Sequence, residues 1–391
     1  MQILTKLENT LKINYLPALT NEINTESSVL LNKIDLVTLK SSITQATSPY
    51  GLPGNFGFSA EGEPTPDSGG QIYDKFQITS HDMYSSIGIS EKTLRLGSSN
   101  ISSVIDVFHN EIQASKDEAK WNQGRTLFMN GIGKLTTVTK SASVTNTFTV
   151  ETTQYLKEGI TVDFYLDGGT SPVERRRIKT INYDDHTITV SGEPFSLSTD
   201  GFVTVQNSYK REITGLGAIF DDNIDILYGV SKSANPILYP IVESAGGDID
   251  NATIRRVTRR ASRQRNCTID LMLAGDDAYD AYLTYCETNN IRVEQNTGDL
   301  TGGFKSVKIL NGDNKDIEIV CEQFVPSGEI WGVDSKKLHF YNTGWDFATL
   351  QGGSAFTLMP GTSQYSALLA NYGELFVEKP GGCVRITNCV N

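Results

Sequence analysis

Apolar positions along this chain repeat with two periods, and the changes between them mark its parts. Leu4, Leu7 and Leu11 fall at helical spacing, Pro17 opens a second short helical stretch, ALTNEIN, and Val29, Leu30, Leu31 and Ile34 form an apolar cluster. No long element of their own gives these residues a surface to lie on, so the first 40 residues read as an arm that docks elsewhere. Residues 52–71 (LPGNFGFSAEGEPTPDSGGQ) are rich in Gly and Pro and predict a long loop without a packed interior. Strand-like runs follow at 72–79 and 83–94, the second with Met83, Ser85, Ile87 and Ile89 on one face and Tyr84, Ser86, Gly88 and Ser90 on the other. Paired with each other, they would make a projecting two-stranded extension, which is marginal alone in water and calls for a neighbouring molecule.

The strongest helical pattern runs over 103–129, with Ser103 and Asp106 as a start signal and Gly131 as a stop. At ~1.5 Å per residue it spans about 40 Å. Ile101, Val104, Ile105, Phe108, Ile112 and Ala119 line one face, and Val107, Ala114, Trp121 and Phe128 recur every seventh residue near the opposite one, the pattern of a spine between two layers. From 135 to 210 the period switches to short alternating runs, at 147–150, 160–166, 177–183, 187–190 and 202–206, separated by turn clusters such as Asp167–Gly169 and Asp184-Asp185. This is a small all-β insert, and helical signals on both sides imply that it leaves and rejoins another domain at nearby points. Residues 247–345 then alternate helix (252–264), strand (268–273), helix (276–289) and strands near 304–309, 317–321 and 338–341, an α/β lobe. Strand runs at 366–370, 375–378 and 383–387 are expected to rejoin the lobe of the spine helix.

Composition narrows the function. With 391 residues, 38% of them hydrophobic and 20% charged, the chain can bury several cores. No run approaches the roughly 18 apolar residues of a membrane helix, and the opening lacks a signal-peptide core, so the sequence implies no membrane partner. The five cysteines (Cys267, Cys286, Cys321, Cys383, Cys389) form no CxxC pair and stand apart from the four histidines, which reads as small buried hydrophobes rather than zinc ligands. There is no G-x-S-x-G, Walker or H-E-x-x-H pattern, and the GGDIDN run at 246–251 lacks calcium-loop spacing, so no catalytic residue and no cofactor are assigned. A net charge of -12 disfavours tight binding to DNA.

Two basic clusters interrupt that acidity, Arg175-Arg176-Arg177 in the insert and Arg255, Arg256, Arg259, Arg260, Arg263 and Arg265 on the first helix of the α/β lobe. No aromatics are interleaved with the second for base stacking, which argues against sequence-reading of nucleic acid. Because the rest of the chain supplies many carboxylates, ion pairs between subunits are the expected role, with Asp276, Asp277 or Asp280 of a neighbour as partners, and contact with DNA is the alternative.

The order of parts resembles the major capsid proteins of tailed bacteriophages. LKINYLPALTNEINTESSVLLNKID (11–35) resembles the arm of one branch, NQGRTLFMNGIGKL (122–135) the end of its spine helix, and ITGLGAIFDD (213–222) and NYGELFVEKPGGCVRITN (371–388) the exit from the insert and the last strands. The resemblance implies an α+β fold with an N-terminal arm (1–40), an extended loop and hairpin (41–98), and a spine helix (99–134) belonging to a peripheral domain. It further implies an inserted β domain (135–210), more peripheral domain (211–246), an axial α/β domain (247–345) and peripheral return strands (346–391). The function implied is that of a non-enzymatic shell protein assembling into pentamers and hexamers around double-stranded DNA, in virions built in the host bacterial cytoplasm. Copies of itself, a portal protein, decoration proteins and weakly held packaged DNA are the implied partners. Because the arm-like pattern starts directly after Met1, a separate scaffolding protein is expected too. Arg255, Arg256, Arg259 and Arg260, with Glu61, Glu63 and Asp67 of the clasping loop, are the candidate intersubunit contacts. Encapsulin shells, which share the fold, are the nearest alternative, and a phage adhesin or tail-associated binding protein is the alternative from another class.

Overall fold

The computed structural model describes residues 27–50, 53–70, 72–92, 101–289, 306–310, 316–347, 356–359 and 361–390. The helical pieces expected before residue 27, and the faces expected for side chains 101–109, lie outside what is described. Three helices matter here: α1 (Ile101–Thr126), α2 (Asn251–Arg265) and α3 (Asp276–Thr288).

Three six-stranded sheets organise the chain. One is built on the long strand Gln364–Val377, which pairs along one side with His81–Ser90 and along the other with Leu338–Asn342, Asp346–Phe347 and Phe356–Leu358. The strand Asp35–Thr38 runs parallel to Leu338–Asn342 at its far side. The segments expected as separate strands at 366–370 and 375–378 are one strand, and 338–341 belongs to this sheet rather than to the α/β lobe.

The α/β sheet has the order 241–244, 384–387, 330–333, 271–274, 316–321, 306–310. Its strand Leu271–Ala274 is buried on both faces. Leu271 and Leu273 enter the core shared with the first sheet, and Met272 and Ala274 the core beneath α2 and α3. Such double burial produces a continuous apolar run without alternation. That is why Ile330–Val333 (IWGV, all four residues buried) shows no strand signal. The strand expected at 268–273 begins at Leu271. The last strand, Val384–Thr387, pairs here with Ile241–Ser244 and Ile330–Val333, not with the lobe of the spine helix as expected.

The insert is an antiparallel sheet in the order 134–138, 201–205, 161–166, 174–182, 187–190, 147–149, filled by its own cluster around Phe148, Phe164 and Phe195. Its first and last strands pair, and Lys210 N donates to Ile132 O at 2.7 Å, so the chain returns to where it left. The return segment passes tightly over the end of α1. A Cβ on Gly215 would sit 2.4 Å from Thr126 O, and one on Gly217 2.5 Å from Phe128 O, so only glycine lets the backbones approach.

The spine helix ends at Thr126, three residues before its expected end at Met129, and Leu127 and Phe128 drop into the core. Phe128 stacks on Phe324 at 6.1 Å and packs near Trp331. Of the second face, Trp121 is half-buried against Phe324, but Ala114 is exposed, so among the described side chains the helix is covered on two sides only towards its C-terminus. There Arg125, 1% exposed, pairs in bidentate fashion with the buried Glu212 (Nη1–Oε2 3.0 Å, Nη2–Oε1 2.5 Å), tying α1 to the insert's exit.

The projecting hairpin differs from expectation in its pairing. Ile72–Thr79 pairs with Ile43–Tyr50, a strand the sequence reading missed, while His81–Ser90 turns away into the first sheet. Among the described side chains of 83–90 the alternation is as read, with Ile87 buried and Tyr84 out. Phe76 and Ile78 root the hairpin in the central core, beside the docked cluster Val29, Leu30, Leu31 and Ile34.

Candidate assembly surfaces

The hairpin tip, residues 53–70, carries its side chains outside the protein. Phe56 is 82% and Phe58 94% exposed, their rings 5.3 Å apart in an edge-on pair. Glu61, Glu63 and Asp67 are exposed on the same tip. Two large aromatics held in water beside three carboxylates form an amphipathic surface with no use inside the monomer. The signal was available in the sequence, since aromatics within a Gly/Pro-rich loop have no local core to enter.

On α2, Thr253, Ile254, Val257, Thr258 and Ala261 face the core and the arginines face out. Asp250 caps the helix, its carboxylate accepting from Thr253 N at 2.7 Å, which is the structural use of the GGDIDN run. Arg256 and Arg260 both reach Glu243 on the edge strand Ile241–Ser244, at 3.1 and 2.5 Å. Both guanidiniums remain about half exposed, so these pairs orient more than they stabilise. Arg255, Arg259 and Arg263 are exposed and, among the described residues, pair with no carboxylate. The four arginine candidates therefore share one surface. The loop candidates Glu61, Glu63 and Asp67 lie elsewhere, and among the described residues no ion pair joins the two groups within the chain. Glu243 was missed, because nothing in the sequence places a strand beside a helix that follows it.

The other basic cluster is used inside the insert. Arg175 pairs with the fully buried Asp163 (2.6 and 3.0 Å), Arg176 with Glu174 (3.1 Å), and Arg177 Nε donates to Gly159 O (2.7 Å). Two of the histidines, His81 and His339, hold segments together. His81 binds Glu374, and His339 binds Glu378 at 3.0 Å. Four of the five cysteines are buried and Cys321 is half-buried, all as free thiols, and burial pushes the Cys267 thiol up to about 12. Among the described residues no group of three or more His, Cys, Asp or Glu could hold a metal ion, and no helix is long and apolar enough to cross a membrane.

No protein-family model and no curated protein sequence matches the chain. Among solved structures it is similar to the capsid asymmetric unit of cyanophage A-1(L), with 11% identity, 93% of each chain covered and a TM-score of 0.52. It is also similar to the capsid of the native GTA particle, with 7% identity, 92% of this chain and 89% of that one covered and a TM-score of 0.51. At such identity the likeness is one of fold. The chain has the α+β fold of phage capsid proteins, in agreement with the resemblance carried by its sequence.

Proposed function

We propose that this protein is a structural, non-enzymatic shell subunit, the major capsid protein of a tailed phage, and that its partner is first of all itself. The observation that carries the reading is the hairpin tip, where Phe56 and Phe58 stand in solvent on an arm rooted in the core by Phe76 and Ile78. Exposing that much aromatic surface is unfavourable unless another molecule covers it. The fold, similar over nearly its whole length to capsid subunits, supports a second copy as the cover. On this reading α1 and the sheet on Gln364–Val377 form the peripheral domain, and the α/β sheet with α2 and α3 the axial domain of pentamers and hexamers. The assembled icosahedral shell holds double-stranded DNA loosely, in keeping with the net charge of -12. Portal and decoration proteins are further partners on the same reading.

Electron microscopy of the purified, overexpressed protein tests this. Rings of five or six and closed shells are expected. A monodisperse monomer under all assembly conditions would overturn the proposal, and shells holding protein cargo without nucleic acid would move it to the encapsulins.

A further inference from the structure

The α/β lobe segregates its charge by side. α2 contains six arginines and no acidic residue, whereas α3 contains Asp276, Asp277, Asp280 and Glu287 and no basic one. The helices share one core and lie side by side, Tyr282 Oη donating to Asn251 Oδ1 at 2.8 Å. Each has its charged flank pinned to a different part of the sheet. Arg256 and Arg260 reach Glu243 on 241–244, which is one edge of the sheet. Cys321 Sγ lies 3.1 Å from Asp276 Oδ1, and Cys321 ends the strand Asp316–Cys321, next to the opposite edge. Asp280 and Glu287 lie four and eleven residues after Asp276, close to whole turns of a 3.6-residue helix, so they share its flank, and both are exposed.

Its two helices therefore give the lobe a cationic flank on one side and an anionic flank on the other. A two-fold contact sets a patch against itself and opposes like charges. A head-to-tail contact sets each cationic side against the anionic side of the next copy, and when its rotation closes it makes a ring. We infer that copies of this chain meet head to tail through these flanks, Arg259 and Arg263 of one facing Asp280 and Glu287 of the next. The inference rests on the shell reading and names the contact that closes its capsomers. Carboxylates suit the arginine face better than nucleic acid does, since α2 has no aromatic residue for base stacking and the same lobe supplies the complementary acids.

Three variants test this beside the wild type: Arg259→Glu/Arg263→Glu, Asp280→Arg/Glu287→Arg, and all four changes together. Sedimentation and electron microscopy read assembly, and melting of the unassembled subunit checks folding. Each double variant should melt like the wild type yet lose rings and shells at least tenfold. The fourfold variant, whose flanks are again complementary, should regain them. Normal assembly of either folded double variant would overturn the inference, as would a folded fourfold variant that stays unassembled. Normal shells with less packaged DNA in Arg259→Glu/Arg263→Glu would overturn it in favour of DNA contact. Absence of assembly in the wild type itself would instead remove the shell reading, and this contact with it.

Discussion

His81 Nδ1 lies 2.5 Å from Glu374 Oε2, and Glu374, 1% exposed, also accepts from Thr214 N at 2.7 Å through its other oxygen. One buried carboxylate thus joins the residue where the chain leaves the hairpin, the return from the insert, and the long strand Gln364–Val377. The hydrogen bond to Glu374 pushes the His81 pKa up, and burial pushes Glu374 up. Both shifts mean that the folded joint holds more protons than the unfolded chain, so its contribution falls as pH rises. The His81 part is complete below about pH 6.5, the unfolded value, and is lost as pH passes the raised folded value. The melting-temperature advantage of the wild type over His81→Gln should therefore shrink steadily from pH 6 to pH 9. A constant difference would show that His81 is not charged in the folded protein.

Glu322 anchors the start of the described chain, accepting from Ser28 Oγ at 3.0 Å and Val29 N at 3.3 Å. Burial pushes its carboxyl up to about 7 against these two hydrogen bonds. A raised carboxyl stabilises fully below its unfolded value and loses that contribution as pH rises through about 7. Hydrogen exchange of residues 27–34 should accordingly quicken between pH 6 and 8, after correction for intrinsic rates. Glu322→Gln should remove that acceleration, and an unaltered profile in the variant would assign it to another group.

Phe128 is buried where α1, the α/β sheet and Phe324 meet, and its replacement by Ala should cost ~3–5 kcal/mol of stability in urea unfolding. Trp121, only half-buried against the same ring, should cost less when changed to Ala. Equal losses would mean that Trp121 is more enclosed in solution than here.

In free subunits chymotrypsin should cut first at Phe56 and Phe58, because the tip has no packed interior. Assembled particles should resist cleavage there. Primary cutting in the α/β lobe, or equal rates before and after assembly, would count against a tip covered by a neighbour.

The sequence by itself determined the local order of this protein: the insert's short alternating runs, the arginine-bearing and acidic helices, the Gly/Pro tip, and the apolar cluster at 29–34 that had to dock. Each is a matter of period or turn chemistry, which a short window of residues contains. Tertiary structure decided who pairs with whom. Alternation in 83–90 sets which side chains face inward but is silent on the partner strand, so Gln364–Val377 rather than Ile72–Thr79 could not be read. Strands buried on both faces, such as Ile330–Val333, lose alternation altogether and pass unseen. The carboxylates of Glu243, Glu322 and Glu374 gained their roles only from residues brought close by folding, since an acidic side chain carries no mark in sequence of whether a cation, a buried backbone amide or water will surround it.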